Sequence, residues 1–257
     1  MVDLKSVISI YLMKKSYHMI LPDNGRIVRI IVFFAVLFSS GICSGQLNLK
    51  VGYTLGFYSP EVSNGILEEF DNLASLSFDQ YNPSRPINLT FGINLGLRYK
   101  FSSSSVEMHW ESLARSTSSV GISRPSPASL SAVSMEFSYR FNMIMLSYES
   151  NFGLLGVGST LGYNIVSIEQ TVQNSQVDSN LLFNTPNGRD QYFIRFNLAL
   201  NFTGNTNVSF AIKPYIHIPL SEIDLLSKAQ TLGVQKDDTR ESFPAWGLSF
   251  SFYNGRQ

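Results

Sequence analysis

Glu107, His109 and Glu111 stand two residues apart in the run SVEMHWES, residues 105–112. On a β-strand alternate side chains share a face, so all three project together. A histidine between two carboxylates is the raw material of general acid–base work or of a Ser–His–acid hydrolase, and it is also the start of a metal site. The other histidines are His18 and His217 and the single cysteine is Cys43, so no second His or Cys lies at a ligand spacing. The competing reading is a salt-bridge network of these three residues with Arg98, Arg140 and Arg195, and the sequence favours it. No residue is assigned to catalysis, to a cofactor or to a metal. Gly92–Gly96 and Gly156–Gly162 sit inside strand-like runs and open no helix, so no phosphate-cradling loop is expected.

The chain that must position these groups has 257 residues, of which only 15% are charged and 13% aromatic, with 19 Phe and 12 Tyr. Soluble domains carry about 25% charge. Lys+Arg and Asp+Glu are 19 each, which argues against a nucleic-acid partner. Mean hydropathy is only +0.05, too low for a bundle of membrane helices. A membrane β-barrel reconciles these values, because an apolar face and a polar face cancel in any average.

Residues 1–45 have the layout of a secretory signal peptide. Lys14, Lys15, Arg26 and Arg29 bracket the start of the apolar run IVRIIVFFAVLFS, and the small residues of SSGICSGQ follow. Cleavage is expected after Gly45, and a start at Met13 or Met19 would give a leader of ordinary length. The remaining domain, 46–257, carries 19 − 5 = 14 basic and 19 − 2 = 17 acidic side chains, a formal charge of −3.

That domain contains eight alternating segments: 47–57, 87–101, 105–112, 132–141, 153–166, 191–202, 207–218 and 245–253. In the second, Ile87, Leu89, Phe91, Ile93, Leu95, Leu97, Tyr99 and Phe101 occupy one face, and Asn88, Thr90, Gly92, Asn94, Gly96, Arg98 and Lys100 the other. A period of two over this length specifies a strand with one apolar face. The connections alternate between short (near 102–104, 142–152 and 203–206) and long (near 58–86, 113–131, 167–190 and 219–244). Barrels of the outer membrane have short periplasmic turns and long outside loops, whereas a soluble sandwich has no reason to alternate. The expected fold is therefore all-β, an eight-stranded antiparallel transmembrane up-and-down barrel.

The apolar face carries the large side chains and the other face carries Gly, Ser, Asn, Thr and nearly every strand charge, so the apolar face is expected outside. Tyr53, Tyr99, Tyr163, Tyr192, Trp110 and Trp246 are expected in interfacial girdles. Lys50, Arg98, Lys100, Glu107, His109, Glu111, Glu136, Arg140, Arg195, Lys213 and His217 then face a lumen only wide enough for side chains to fill, where they pair and plug it. Inward glycines are expected to make room for the long charged side chains. Pro214 interrupts the seventh strand, and a bulge is expected there. In the first long link, NGILEEFDNLAS (64–75) places Ile66, Phe70, Leu73 and Ala74 at helical spacing, which predicts a short amphipathic helix on the rim. The Ser- and Pro-rich 116–129 is expected to be a mobile loop.

The strand LNLGLRYKF, the run SMEFSYRF followed by GLLGVGSTLGYN, the IKPYIHIPL segment and the terminal WGLSFSFY resemble the Bacteroidetes outer-membrane β-barrel proteins, the PorT-like, OmpA-barrel-like group. The resemblance covers most of 46–254. It implies an exported eight-stranded barrel in the outer membrane, with outer-membrane lipid around it and the barrel-assembly machinery as a partner during biogenesis. It implies a structural, adhesive or accessory role through the outside loops, contacting an extracellular protein or polysaccharide, or alternatively a part in type IX-like protein secretion. A lipid-modifying envelope enzyme using His109 is the remaining alternative. The motifs speak to strands and carry no catalytic signature.

Overall fold

The computed structural model describes residues 45–126, 129–174, 177–184, 189–203, 208–235 and 238–255. The expected signal peptide lies outside these residues, apart from Gly45. In chain order the elements are β1 (Gln46–Tyr58), α1 (Glu61–Ser75), β2 (Gln80–Asn82), β3 (Leu89–Phe101), β4 (Ser104–Ser126), β5 (Ser129–Phe152), β6 (Leu155–Asn174), β7 (Val177–Asn184), β8 (Arg189–Thr203), β9 (Ser209–Pro219), β10 (Ile223–Asp224), α2 (Leu226–Thr231), β11 (Arg240–Glu241) and β12 (Ala245–Tyr253).

Eight of these strands close on themselves. β1, β3, β4, β5, β6, β8, β9 and β12 each pair antiparallel with the next, and β12 returns to β1 through Lys50↔Tyr253 to Tyr58↔Ala245. Closure leaves no unpaired edge in the barrel wall. At one end the links are minimal: Ser102–Ser103, with Ser102 at φ +50°, and Gly153–Leu154, with Gly153 at φ +68° where a glycine avoids strain. Most of the expected 203–206 turn lies outside the described residues.

Side chains alternate across the wall. Leu49, Ile93, Met108, Ile144, Leu161, Leu198, Ile216 and Trp246, one from each barrel strand, are 49–62% exposed. Their neighbours Lys50, Asn94, Glu107, Thr160, Arg195, Lys213 and Ser249 are buried. The barrel is thus apolar outside and polar inside. The inward glycines do not chiefly accommodate long charged side chains. A Cβ on Gly96 would stand 2.4 Å from the His109 Cβ, and one on Gly162 would stand 2.1 Å from the Phe193 ring. These glycines let neighbouring strands and flat rings pack close.

Three expectations about the strands fail. First, the fourth strand enters the barrel later than its alternation implied. Residues 132–141 pair with 113–122 of β4, and 133–141 with 166–174 of β6, beyond most of the barrel proper, and 142–152, expected as a turn, form the barrel-wall part of β5. Second, the expected loops 113–131 and 167–190 are mostly strand: β4 and β5 run on as a long hairpin, and β6 with β7 extends beside it, so 116–123 is paired backbone. Third, Pro214 causes no bulge. β9 keeps one register with β8, from Thr203↔Ser209 and Leu200↔Ile212 to Asn197↔Tyr215, and skips only the ladder pairs at the position where proline has no N–H.

Where the strands extend past the barrel, the inner face changes from polar to apolar. Met135, Phe137, Tyr139 and Phe141 point inward and are buried with Leu113, Val166 and Ile168. α1 is the helix the periodicity predicts and seals this cup, burying Ile66 and setting Phe70 edge-on to Phe137 at 5.5 Å, but Leu67 is buried where Leu73 was expected, and Leu73 is exposed. From the last long link, Ile223, Leu225, Ala229, Leu232, Val234 and Phe243 complete the core. The molecule has two storeys, a polar lumen and an apolar head. Among the described residues no helix is long and apolar enough to cross a membrane.

The outward band makes a direct prediction. Leu161→Arg is expected to cost about 2–4 kcal/mol in denaturant unfolding of the protein folded into phosphocholine vesicles. Glu136→Arg, outward on β5 but beyond the band, is expected to cost about 0.5 kcal/mol or less in the same measurement.

Candidate functional site

The polar lumen is organised around one carboxylate. Glu107 on β4 accepts from Lys50 Nζ of β1 at 2.9 Å, from Lys213 Nζ of β9 at 3.0 Å and from the Tyr253 hydroxyl of β12 at 2.8 Å. Lys213 also meets Glu149 of β5 at 2.7 Å. One layer further in, Arg195 forks onto Glu111, Nη2 to Oε1 at 2.9 Å and Nη1 to Oε2 at 3.3 Å, and Thr54 donates to the same carboxylate at 2.8 Å. Asn94 Nδ2 donates to Thr54 Oγ1 at 2.9 Å and to Ser249 Oγ at 3.2 Å. Two guanidiniums lie over tyrosine faces at 4.1 Å, Arg98 on Tyr253 and Arg195 on Tyr215. Charges removed from water require partners of this kind, and aromatic faces serve cations when carboxylates run out.

The cluster holds four buried cations, Lys50, Arg98, Arg195 and Lys213, against three buried carboxylates, Glu107, Glu111 and Glu149. The space left among them is about 30 Å3. That is room for a water molecule or so. His109 lies in the wall of this space with its Nδ1 unpartnered, while both flanking carboxylates are committed elsewhere. His217 stands where the lumen meets the head, its ring 4.1 Å from that of Phe193. Among the described residues no group of His, Cys, Asp and Glu is placed to hold a metal ion.

Of the residues expected in the lumen, Lys50, Arg98, Glu107, His109, Glu111, Arg195, Lys213 and His217 are brought together and buried. Lys100 is half-buried at the short-turn end of β3. Glu136 and Arg140 are not lumenal: both are exposed on the outer face, because the inward face of β5 at that height is the apolar Met135–Phe137–Tyr139–Phe141 stripe. Glu149 lies in the stretch expected as a turn, and Tyr215 and Tyr253 were assigned to neither face. For Tyr253, two residues in from Ser251, parity with Ser249 and Ser251 was the available signal. The girdle expectation also needs one correction. Trp110 pairs Leu95 midway along β3, so it lies within the apolar band. Phe57–Trp246 form a ring contact toward the long-loop end, and Tyr163–Tyr192 form one in the cross-strand row of Trp110.

The head is tied down by two carboxylates of its own. α1 has Pro60 at its N-cap and no side-chain cap, and Glu241 of β11 supplies the missing acceptor, taking the Ser63 N–H at 2.6 Å. Asp71, buried on α1, accepts from the Ser84 N–H at 2.9 Å, from its hydroxyl at 2.6 Å and from the Tyr81 hydroxyl. Burial and the Asp71 carboxylate push the Tyr81 phenol up.

A closed eight-stranded up-and-down barrel, apolar outside and ion-paired inside, is the class that fold and site define. No protein-family model and no curated protein matches the sequence. Among solved structures the chain is similar to Neisserial surface protein A, with a TM-score of 0.40 and 8% identity over 82% of this chain and 99% of that chain.

Two predictions follow from the ion pairs and the lid. Glu107→Gln strands Lys50 and weakens the hold on Lys213 and Tyr253, which is expected to cost about 3–5 kcal/mol in detergent unfolding, and adding Lys50→Met is expected to recover most of it. Glu241→Ala uncaps α1 at a cost of about 0.5–2 kcal/mol, seen as faster amide hydrogen exchange across 61–75 with the barrel strands unchanged.

Proposed function

We propose that the protein is an outer-membrane β-barrel protein with no catalysis of its own, which acts through the surface its head presents outside the cell. The observation that carries this reading is the pairing of an exposed apolar band on all eight strands with an ion-paired interior. A closed sheet with that polarity is stable only where hydrocarbon surrounds it. The expected signal peptide supplies export, outer-membrane lipid is the surrounding partner, and the assembly machinery inserts the barrel.

A structural or adhesive role accords with the architecture of both storeys. The lumen is filled by Glu107, Glu111 and their cations, so it offers no path for solutes. Among the described residues the His109 Nδ1 has no hydrogen-bond partner, and Glu107 and Glu111 are engaged by Lys50, Lys213 and Arg195, which weighs against a triad reading. The long links are built into a packed head held by Glu241 and Asp71, a rigid platform of the kind that presents a surface to an extracellular protein or polysaccharide.

Fractionation and electrophoresis test the reading. The protein is expected in the outer-membrane fraction, with faster gel migration before boiling than after, and recovery as a soluble periplasmic protein overturns the reading. Planar-bilayer recordings of the purified protein are expected to be flat.

A further inference from the structure

Two exposed arginines lie away from the lumenal network: Arg140 faces the outside of the wall, and Arg115, paired with the inward Tyr139, turns its guanidinium to an outward ring. Arg140 on β5 pairs across with Ala114 on β4 and Ser167 on β6, and Ala114 pairs with Phe91 on β3. This row is the upper edge of the apolar band. Beneath it come Ile93, Ser112, Asn142 and Ile165, and then Leu95, Trp110, Ile144 and Tyr163. Arg115, beside Ala114, holds its guanidinium 5.7 Å from the centre of the outward Phe91 ring. Both arginines are exposed. Among the described residues neither makes an ion pair.

Directly above lies a cavity of about 290 Å3, lined by Ser116, Thr117, Ser118, Ser134, Glu136 and Thr171. Ser118, Glu136 and Thr171 form one cross-strand row. Successive rows on a face are about 7 Å apart, so this row stands roughly 13 Å above the arginines. Thr117 accepts the Arg85 backbone N–H at 2.8 Å, which roots a third arginine at the groove's margin. The acidic groups on this face are Glu169 and Glu136, one and two rows above Arg140, and Asp190 of β8, which pairs with Ile165 one row below it. From below upward the wall therefore offers hydrocarbon contact, guanidinium, then hydroxyl and carboxylate.

We propose that this face binds a phosphorylated glycolipid of the surrounding leaflet. Its acyl chains lie along Ile93, Ile144 and Ile165, its phosphate meets Arg115 and Arg140, and its sugar hydroxyls enter the groove of Ser118, Glu136 and Thr171. Guanidinium matches phosphate with forked, charge-assisted hydrogen bonds, and the low dielectric at the edge of a bilayer strengthens them. Glu136 accepts from sugar hydroxyls at a height where it does not confront the phosphate. The inference rests on the outer-membrane reading and adds to it a ligand class and a site.

The test uses the full chain folded in dodecyl maltoside, titrated with diphosphoryl lipid A, with the same lipid dephosphorylated, and with inorganic phosphate, bound species being counted by native mass spectrometry. The wild type is expected to hold the phosphorylated lipid about tenfold or more tightly than the dephosphorylated one, as the loss of one charge-assisted contact implies. Arg115→Gln with Arg140→Gln is expected to abolish that preference, and Arg115→Lys with Arg140→Lys to retain part of it. Equal binding of both lipids by the wild type, or an unchanged preference in the glutamine variant, overturns the proposal. Displacement of the lipid by millimolar inorganic phosphate overturns the assignment to a lipid. Should the glutamine pair not fold, Arg140→Gln alone with Glu136→Gln carries the same comparison. Failure of the barrel reading shows separately, as loss of heat-modifiable migration in the wild type, which the lipid result does not affect.

Discussion

Everything in the lower storey depends on the carboxylate of Glu107. It reaches from β4 to Lys50 of β1, Lys213 of β9 and Tyr253 of β12, so a single side chain joins four strands across the lumen. Lys213 continues the chain to Glu149 on β5. Backbone ladders hold each strand to its neighbours, but they do not fix the cross-section of a closed sheet. The ion pairs do, because each charge has lost its water and must keep its partner. The strand parity follows from the same constraint. Once Lys50, Glu107 and Lys213 face inward, Leu49, Met108 and Ile212 must face out, and a barrel with that exterior belongs in hydrocarbon.

The upper storey solves the opposite problem. There the extended strands stand beyond the apolar band, so their inner face can be an ordinary core, and Phe137, Tyr139 and Phe141 fill it. α1 and the 219–244 link cover that core, and Glu241 and Asp71 secure the cover through backbone and hydroxyl donors. His217, between Tyr58 and Phe193, marks the boundary between the two regimes. The outer face changes at much the same height, from Ile93 and Ile165 through Arg140 to Ser116 and Glu136.

Seven of the strands were legible because their two faces differ in polarity, as in 87–101. The fourth was not. In 143–146 both faces are apolar, with Met143 and Met145 inward and Ile144 and Leu146 outward, so no alternation shows where the wall is. The clear alternation of 132–141 belongs instead to the head, where the apolar face is the inner one, and reading it as lipid-facing inverted Glu136 and Arg140. Parity alone cannot distinguish an apolar face turned to lipid from one turned to a core. Glu107 and its cations were legible as a group, since they share one face of strands that do alternate. Their pairing was not, because it depends on which strands meet across the lumen, and Glu149 was hidden in the unreadable stretch. The helix 64–75 was visible from spacing alone, whereas its cap, Glu241, lies 178 residues from Ser63.

The most direct test of this account is spin-label accessibility along two strands. The single native cysteine, Cys43, lies in the expected leader, so labels can be placed one at a time on 91–98 and on 135–148 in lipid vesicles. The account predicts oxygen collision maxima at 93, 95 and 97 on β3 and at 144, 146 and 148 on β5, with 135, 137, 139 and 141 shielded from oxygen and from water-soluble reagent alike. Maxima at 135, 137, 139 and 141 would mean that β5 turns its aromatic stripe to lipid, and would contradict the two-storey barrel.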